Sequence, residues 1–195
     1  MLNRNKHLYN LVVCALLCAV GIIIPTFSPI KILIEPASFT LASHVAVFIA
    51  MFISPLCAVA VSLGTTAGFF LGGFPLVVVM RALTHVIFAL VGAMIIRRDR
   101  TLLKSPVRST LFSFGIGVLH GVCEVAVTIP FFFAGMLPAA NYDKGFMTSV
   151  ILLVGVGAVI HSMVDYAISY FVWKPLEHQV APLLSTAERR VAVSH

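Results

Sequence analysis

The chain has 195 residues, of which 60% are hydrophobic and only 10% carry a charge. About a quarter of the residues of a soluble domain are charged, so this composition excludes an ordinary soluble protein and predicts one embedded in a lipid bilayer. The formal net charge of +6 needs no nucleic acid to explain it, because basic residues that flank membrane spans account for it. We therefore predict a multi-pass protein of the cell (plasma) membrane, surrounded by lipid and without a nucleic-acid partner.

Six apolar segments are long enough, or nearly so, to cross a bilayer as helices. The predicted spans are residues 8–24, 38–53, 55–71, 74–96, 107–133 and 145–173. The breaks between them contain proline or glycine, which favour turns over helix. The second and third spans are short, so tilted or broken helices are expected there. The prediction is one all-α membrane domain over residues 1–195, ending in a polar cytoplasmic tail at residues 175–195.

Basic residues are distributed unequally between the two sides of this topology. An even number of spans puts both termini on one side, and that side holds ten basic residues against two on the other. The ten are Arg4, Lys6, Arg97, Arg98, Arg100, Lys104, Arg108, Lys174, Arg189 and Arg190, and the two are Lys31 and Lys144. Cytoplasmic loops carry an excess of lysine and arginine, so both termini are predicted to be cytoplasmic.

No motif for catalysis or metal binding is present in the sequence. All four cysteines fall inside predicted spans without a CxxC pair, which predicts free thiols that serve packing. His120 and Glu124 form HxxxE and not the HExxH of a zinc protease. There is also no GxSxG nucleophile motif and no phosphate-binding glycine loop. We predict that the chain is not an enzyme and that it has no metal site and no cofactor.

Three pairs of ionisable residues lie inside the predicted spans, each with a spacing of four residues. The pairs are Arg81 with His85, His120 with Glu124, and His161 with Asp165. This spacing puts both members of a pair on one helical face. A charge in the hydrocarbon core is costly, so such residues face a bundle interior, pair together or line a pathway. His44, near the start of the second span, is a further candidate.

Depth along the helices separates these candidates. At 1.5 Å per residue, Arg81 lies roughly 10 Å and Glu124 roughly 13 Å below the outer surface. His85 and His120 lie about one turn deeper. We predict an outward-facing pocket formed by these four residues, with His161 and Asp165 as a separate structural pair. The alternatives are that Arg81 and Glu124 form only a buried ion pair, that the histidines only bond neighbouring helices, and that His44 only anchors a loop.

Two stretches of the sequence resemble a known family. The first span reads LVVCALLCAVGIIIP, in which Ala15 and Ala19 form an AxxxA arrangement that allows close helix packing. Residues 36–55 read PASFTLASHVAVFIAMFISP and residues 63–85 read LGTTAGFFLGGFPLVVVMRALTH. With the length and topology, these stretches resemble the S components, the substrate-binding membrane subunits of energy-coupling factor vitamin importers. The resemblance is greatest to the niacin group, and the pantothenate group comes next.

This resemblance implies a division of labour between subunits. S components bind a vitamin and dock on a transmembrane coupling protein and two cytosolic ATPases, which power uptake by toppling the S component in the membrane. The pocket of the family lies near the outer face, and its caps would be residues 25–36 and 72–75 here. The family's contact with the coupling protein corresponds to Ala15 and Ala19.

The substrates of both groups are carboxylates, which an arginine binds through two hydrogen bonds. This gives a reason for Arg81 within a membrane span, where it is predicted to bind the vitamin. Phe74, together with Phe69 and Phe70, lies near the predicted outer gate and is a candidate for packing on a pyridine ring.

Two other functions are compatible with the sequence. One is a stand-alone secondary transporter of a small organic anion, coupled to protons through Glu124, Asp165 and the histidines. Six short spans without a detectable repeat argue against it, because many such carriers are built from repeats. The other is a structural membrane protein without a ligand.

Overall fold

The computed structural model describes the backbone of residues 2–27, 31–34 and 37–185, and the side chains within residues 8–27 and 40–177. Its α-helices are α1 Leu2–Phe27, α2 Val45–Ile53, α3 Pro55–Leu71, α4 Leu76–Arg98, α5 Pro106–Phe133, α6 Ala139–Asp143 and α7 Gly157–Ser185. A 3₁₀-helix spans Arg100–Lys104 and a π-helix spans Met147–Val156. The strands β1 Lys31–Ile34 and β2 Ala37–Thr40 form an antiparallel hairpin. The helical membrane class is confirmed, with this hairpin as an exception to the all-α prediction.

The short helix α2 forms the centre of the bundle. Every residue of α2 except Ile49 is buried, and the helix packs against α1, α3, α4 and α7. A helix that is apolar on all sides is stable when other helices surround it completely. The chain then breaks at Ser54, whose side chain caps α3 by accepting a hydrogen bond from the backbone N–H of Cys57. Pro55 occupies the first turn of α3, where proline is tolerated.

The second predicted span, residues 38–53, is wrong at its start. Residues 37–40 pair with β1, a turn follows, and the helix begins only at Val45. Ala42 in this turn has a φ of 66°, a left-handed conformation that interrupts a helix. The apolar composition of the segment indicated a membrane span and did not indicate its backbone conformation.

The end of the last span also differs from the prediction. The helix α7 continues through Pro175 to Ser185, whereas a polar tail was expected from residue 175. Residues 186–195 lie outside the described part of the chain. The break predicted between the fifth and sixth spans contains the short helix α6.

Within the described residues, four helices are long and apolar enough to cross a bilayer. They comprise Leu8–Phe27, Leu76–Arg98, Pro106–Phe133 and Met147–Glu177, and Pro55–Leu71 is a shorter apolar helix. At 1.5 Å per residue, a helix with the length of α2 is roughly 13 Å long, less than half of a hydrocarbon core. Crossings by α2 and α3 therefore remain predictions.

Helix α1 packs closely against α3 through two glycines. A Cβ added to Gly64 would lie 2.5 Å from Sγ of Cys18, and one added to Gly68 would overlap the side chain of Ile22. Small residues four positions apart permit this close approach between membrane helices. Cys14 and Cys57 pair as a disulfide between the same helices. This pairing corrects the prediction that all the cysteines are free, while Cys18 and Cys123 are free thiols.

A second pair of glycines brings α5 against the π-helix and α7. A Cβ added to Gly121 would lie 2.8 Å from the carbonyl oxygen of Gly155, and one added to Gly117 would lie 3.3 Å from that of Val159. At Gly121 a larger residue would push the backbones apart, whereas at Gly117 it would require only a small shift. The contact brings the polar face of α5, which carries His120 and Glu124, next to α7.

Candidate functional site

A cavity of about 400 Å³ opens at one end of the bundle. Pro25 at the end of α1, Pro75 before α4 and Pro138 before α6 line its mouth. The 3₁₀-helix Arg100–Lys104 belongs to the opposite end, where Tyr170 donates a hydrogen bond to the carbonyl of Leu103. The polar and aromatic residues of the wall are Thr40, Ser43, His44, Thr65, Phe69, Phe74, Arg81, His85, Glu124, Thr128, Asn141 and His161.

Arg81 and Glu124 form an ion pair in the wall of the cavity. Nη2 of Arg81 donates a hydrogen bond to Oε2 of Glu124 at 2.8 Å. The side chain of Glu124 is only 5% exposed, but that of Arg81 is 24% exposed. Nε of Arg81 is buried without a partner, so the pair uses only part of the guanidinium. Because Nε is buried, an anion in the cavity would be bound by the exposed part of the guanidinium.

Four histidine rings lie around the base of the cavity. The ring of His44 is 4.7 Å from that of His85, 4.9 Å from that of His120 and 4.8 Å from that of His161, measured between centroids. His120 is completely buried. Its Nε2 lies 3.3 Å from Oε1 of Glu124, although the geometry is not that of a hydrogen bond. His120 thus supports the wall from behind.

Asp165 holds the turn that carries His44. Its Oδ1 accepts a hydrogen bond from the backbone N–H of Ala42 at 2.7 Å, and its Oδ2 accepts one from that of His44 at 2.8 Å. Oδ2 also lies 3.0 Å from Nδ1 of His44. A fully buried carboxylate with these partners stabilises the left-handed conformation of Ala42. Because Asp165 of α7 fixes the backbone of this turn, the ring of His44 faces the other histidines.

The substitution Asp165→Asn is expected to lower the free energy of unfolding by about 1.5–3 kcal/mol, the range for a hydrogen bond to a charged group. The new amide N–H₂ would face a backbone N–H, so one donor loses its acceptor. Thermal unfolding in detergent should show a Tm several degrees lower. Asp143→Asn, at an exposed position of α6, is the matched control and should leave Tm unchanged. Equal Tm values for the two variants would contradict the anchoring role of Asp165.

An aromatic pair lines the cavity mouth. Phe69 and Phe74 stack with their ring centroids 4.7 Å apart and a 20° angle between their planes. Both residues line the cavity, whereas Phe70 is 65% exposed on the outside of the bundle. A flat apolar wall in the same cavity as a guanidinium suits a small aromatic ring that carries an anionic group.

The structure brings most of the predicted site residues into this one cavity. Its lining includes Arg81, His85, Glu124, His44 and Phe74. His120 contacts the rings of His44 and His85 but lies behind the wall. Ala15 and Ala19 lie elsewhere, on an exposed face of α1.

His161 was not assigned to the pocket by the sequence, and five polar lining residues were missed: Thr40, Ser43, Thr65, Thr128 and Asn141. His161 lines the cavity, whereas its spacing from Asp165 was interpreted as a purely structural pair. The depth estimate along one helix could not show that the turn before α2 reaches down to His161. Thr128 lies one turn after Glu124, and that helical spacing could have identified it. No sequence signal indicates Asn141, whose Oδ1 is buried without a partner beside the cavity.

Comparison with known proteins gives one relative with a described activity. The chain is 38% identical to the niacin transporter NiaX of Lactococcus lactis subsp. cremoris over 163 residues, which cover 84% of this chain and 72% of NiaX. The name of this relative describes transport and not catalysis. No family profile matches the sequence, and no solved structure matches it.

Proposed function

The chain belongs to the niacin-transporter family that includes NiaX, and from this premise we propose that it is the S component of an energy-coupling factor importer with nicotinate as its substrate. It is a multi-pass membrane protein of a transporter family and not an enzyme. Pantothenate is the second candidate substrate. Vitamin binding is assigned to Arg81, His85, His44, Glu124 and Phe74, with His120 behind them.

The observation that carries this proposal is the position of Arg81. Its side chain is 24% exposed and reaches the cavity, while one of its nitrogens bonds Glu124. A guanidinium in a membrane protein is costly unless it is paired, and a carboxylate in the cavity would complete its pairing. Nicotinate supplies such a carboxylate on a flat ring, which matches the stacked pair Phe69 and Phe74 in size and shape.

The orientation proposed for the chain is with the cavity outward and both termini in the cytoplasm. Pro25, at the end of α1, lines the cavity mouth, so α1 starts at the opposite end of the bundle. That end also includes the basic segment that holds Arg100 and Lys104, and α7 runs towards it. Basic residues are concentrated on the cytoplasmic side of membrane proteins, which supports this orientation.

The surface proposed for the coupling protein is the exposed face of α1. Ala15 and Ala19 lie on this face, while Gly64 and Gly68 of α3 pack against other residues of α1. Among the described residues, the two alanines are therefore left exposed by the packing of the helices. Methyl side chains at this spacing allow a partner helix to approach closely in lipid.

The purified chain alone should bind nicotinate much more tightly than nicotinamide. The two molecules share the ring, so the difference reports the contact between Arg81 and the carboxylate. Loss of a hydrogen bond to a charged group costs about 1.5–3 kcal/mol, which corresponds to roughly 10–150-fold in Kd. Equilibrium binding of radiolabelled nicotinate, with nicotinamide and pantothenate as competitors, measures this. Equal affinity for nicotinate and nicotinamide would exclude the proposed contact between Arg81 and the carboxylate. Tighter binding of pantothenate than of nicotinate would make pantothenate the proposed substrate.

A further inference from the structure

Three histidines from separate elements converge at the base of the cavity. His44 precedes α2, His85 belongs to α4 and His120 to α5. Their rings are 4.7, 4.9 and 5.1 Å apart between centroids. One ring nitrogen of each lies within 4.8 Å of one ring nitrogen of the other two. All three residues are buried. Because they are far apart in the sequence, no local spacing motif indicates the group.

The hydrogen bonding of these rings is incomplete. His120 is completely buried, and neither of its ring nitrogens has a hydrogen-bond partner. Buried polar atoms in proteins are nearly always bonded to protein, water or a ligand. Among the described residues, His85 likewise has ring contacts but no hydrogen bond to its nitrogens. Imidazoles with unused nitrogens that face one another are suited to share a cation.

We propose that His44, His85 and His120 bind a divalent transition-metal ion, Zn²⁺ by chemical preference. Zinc is held by imidazole nitrogens at about 2.0–2.1 Å, which puts tetrahedral ligands roughly 3.4 Å apart. The ring nitrogens lie within 4.8 Å of one another, so small side-chain rotations would bring them to the ligand spacing of zinc. His44 and His85 line the cavity, so the fourth coordination position faces it. An anion or an aromatic nitrogen entering the cavity can occupy that position.

Carboxylates next to two of the rings provide the outer shell that such sites use. Asp165 accepts a hydrogen bond from Nδ1 of His44, which leaves Nε2 of His44 for the metal. Oε1 of Glu124 lies 3.3 Å from Nε2 of His120 but outside hydrogen-bond geometry, so the same orienting role for Glu124 would require a small rotation of the His120 ring. Metal-binding histidines usually direct their second nitrogen to a carboxylate or a carbonyl, which orients the ring and increases its basicity.

The charges around the cavity also favour a cation, an argument that rests on the proposed function. With neutral histidines, Arg81 contributes one positive charge while Glu124 and Asp165 contribute two negative charges. A nicotinate anion would leave this enclosed site with a larger negative excess, which a low-dielectric environment disfavours. A divalent ion together with nicotinate makes the charges balance.

A second group, His44 with His161 and Asp165, has similar spacing but is less suited to a metal. Both oxygens of Asp165 already accept backbone N–H groups, and withdrawing either one would release the turn at Ala42. His161 contacts the Ser43 hydroxyl at 3.0 Å. His120, by contrast, has no hydrogen bond to lose.

The test is metal binding by the purified chain in detergent, produced without a histidine tag, stripped with EDTA and kept free of nicotinate. Calorimetric titration with Zn²⁺ should give one ion per chain, and Co²⁺ should develop the intense visible absorption of a four-coordinate nitrogen site. X-ray absorption of the zinc form should show nitrogen ligands at about 2.0–2.1 Å. His85→Ala and His120→Ala should each weaken binding at least tenfold, whereas His161→Ala should retain it.

Absence of stoichiometric binding by the unmodified chain would overturn the proposal regardless of how the variants fold. Loss of binding in His161→Ala with full binding in His120→Ala would also overturn it, because the ion would then occupy the other group. Since no vitamin is present, failure here leaves nicotinate binding untouched. Failure of nicotinate binding would likewise leave the metal result intact.

Discussion

Arg81→Ala is expected to weaken nicotinate binding by roughly 10–150-fold, which corresponds to about 1.5–3 kcal/mol for the loss of a hydrogen bond to a charged group. The guanidinium is the cationic side chain in the described lining of the cavity. Its bond to Glu124 uses Nη2 and leaves other donors for the ligand. Equilibrium binding of radiolabelled nicotinate to the purified variant measures the effect.

The ion pair with Glu124 complicates this variant, because removing one partner leaves a buried carboxylate with fewer bonds. The double variant Arg81→Ala with Glu124→Ala removes both charges and so restores neutrality. Because both side chains are assigned to the site, we expect no recovery of nicotinate binding, and only recovery would separate the two roles of Arg81. Arg108→Ala, at an exposed arginine that pairs with Asp99 at the other end of the bundle, should bind like the unmodified chain. Recovery of nicotinate binding in the double variant would show that Arg81 has only a structural role.

Ala15→Trp is expected to abolish nicotinate uptake while leaving nicotinate affinity within about twofold. The indole would hold a partner helix away from α1, whereas close packing is what drives helix association in lipid. Ala15 is not among the residues that line the cavity, so binding should survive. Uptake by cells that contain the coupling protein and ATPases, together with co-purification of these subunits, reports the coupling step. Equilibrium binding to the purified variant reports the site.

Ala167→Trp is the matched control, because it places the same side chain at an exposed alanine of α7. This control should take up nicotinate normally and co-purify with its partners. Equal loss of uptake in both variants would indicate a general effect of tryptophan on insertion. Loss of nicotinate binding in Ala15→Trp with retained complex formation would contradict the coupling role of this face.

Composition and the spacing of breaks predicted the long helices well, because a bilayer requires apolar segments of about 20 residues. The fourth and fifth spans agree with α4 and α5 to within two residues at each end. The prediction for the second span was wrong at its start because the backbone there depends on a contact with a residue distant in the sequence. Asp165 of α7 binds the amides of Ala42 and His44, and no local pattern encodes that partner. The disulfide between Cys14 and Cys57 depends on the same kind of long-range proximity.

The family was predicted correctly from residues 36–85 and is confirmed by the identity with NiaX. Much of the cavity wall was also predictable, since ionisable residues in apolar helices must face the interior. The depth estimate treated each helix separately and so placed His161 apart from the other cavity residues. It could not include the turn that carries His44 between α4 and α7. The convergence of His44, His85 and His120 is a property of the packed helices and has no signature in the sequence.

The central claim, that this chain binds nicotinate and depends on a separate ATP-driven module for transport, is tested most directly by uptake into liposomes. Liposomes should contain either the complete complex or the chain alone, with radiolabelled nicotinate outside. With ATP on the ATPase side and no pH gradient, the account predicts accumulation by the complex and none by the chain alone. With a pH gradient and no ATP, it predicts none in either case. Gradient-driven accumulation by the chain alone, lost in Glu124→Gln, would contradict the account and identify a proton-coupled secondary transporter.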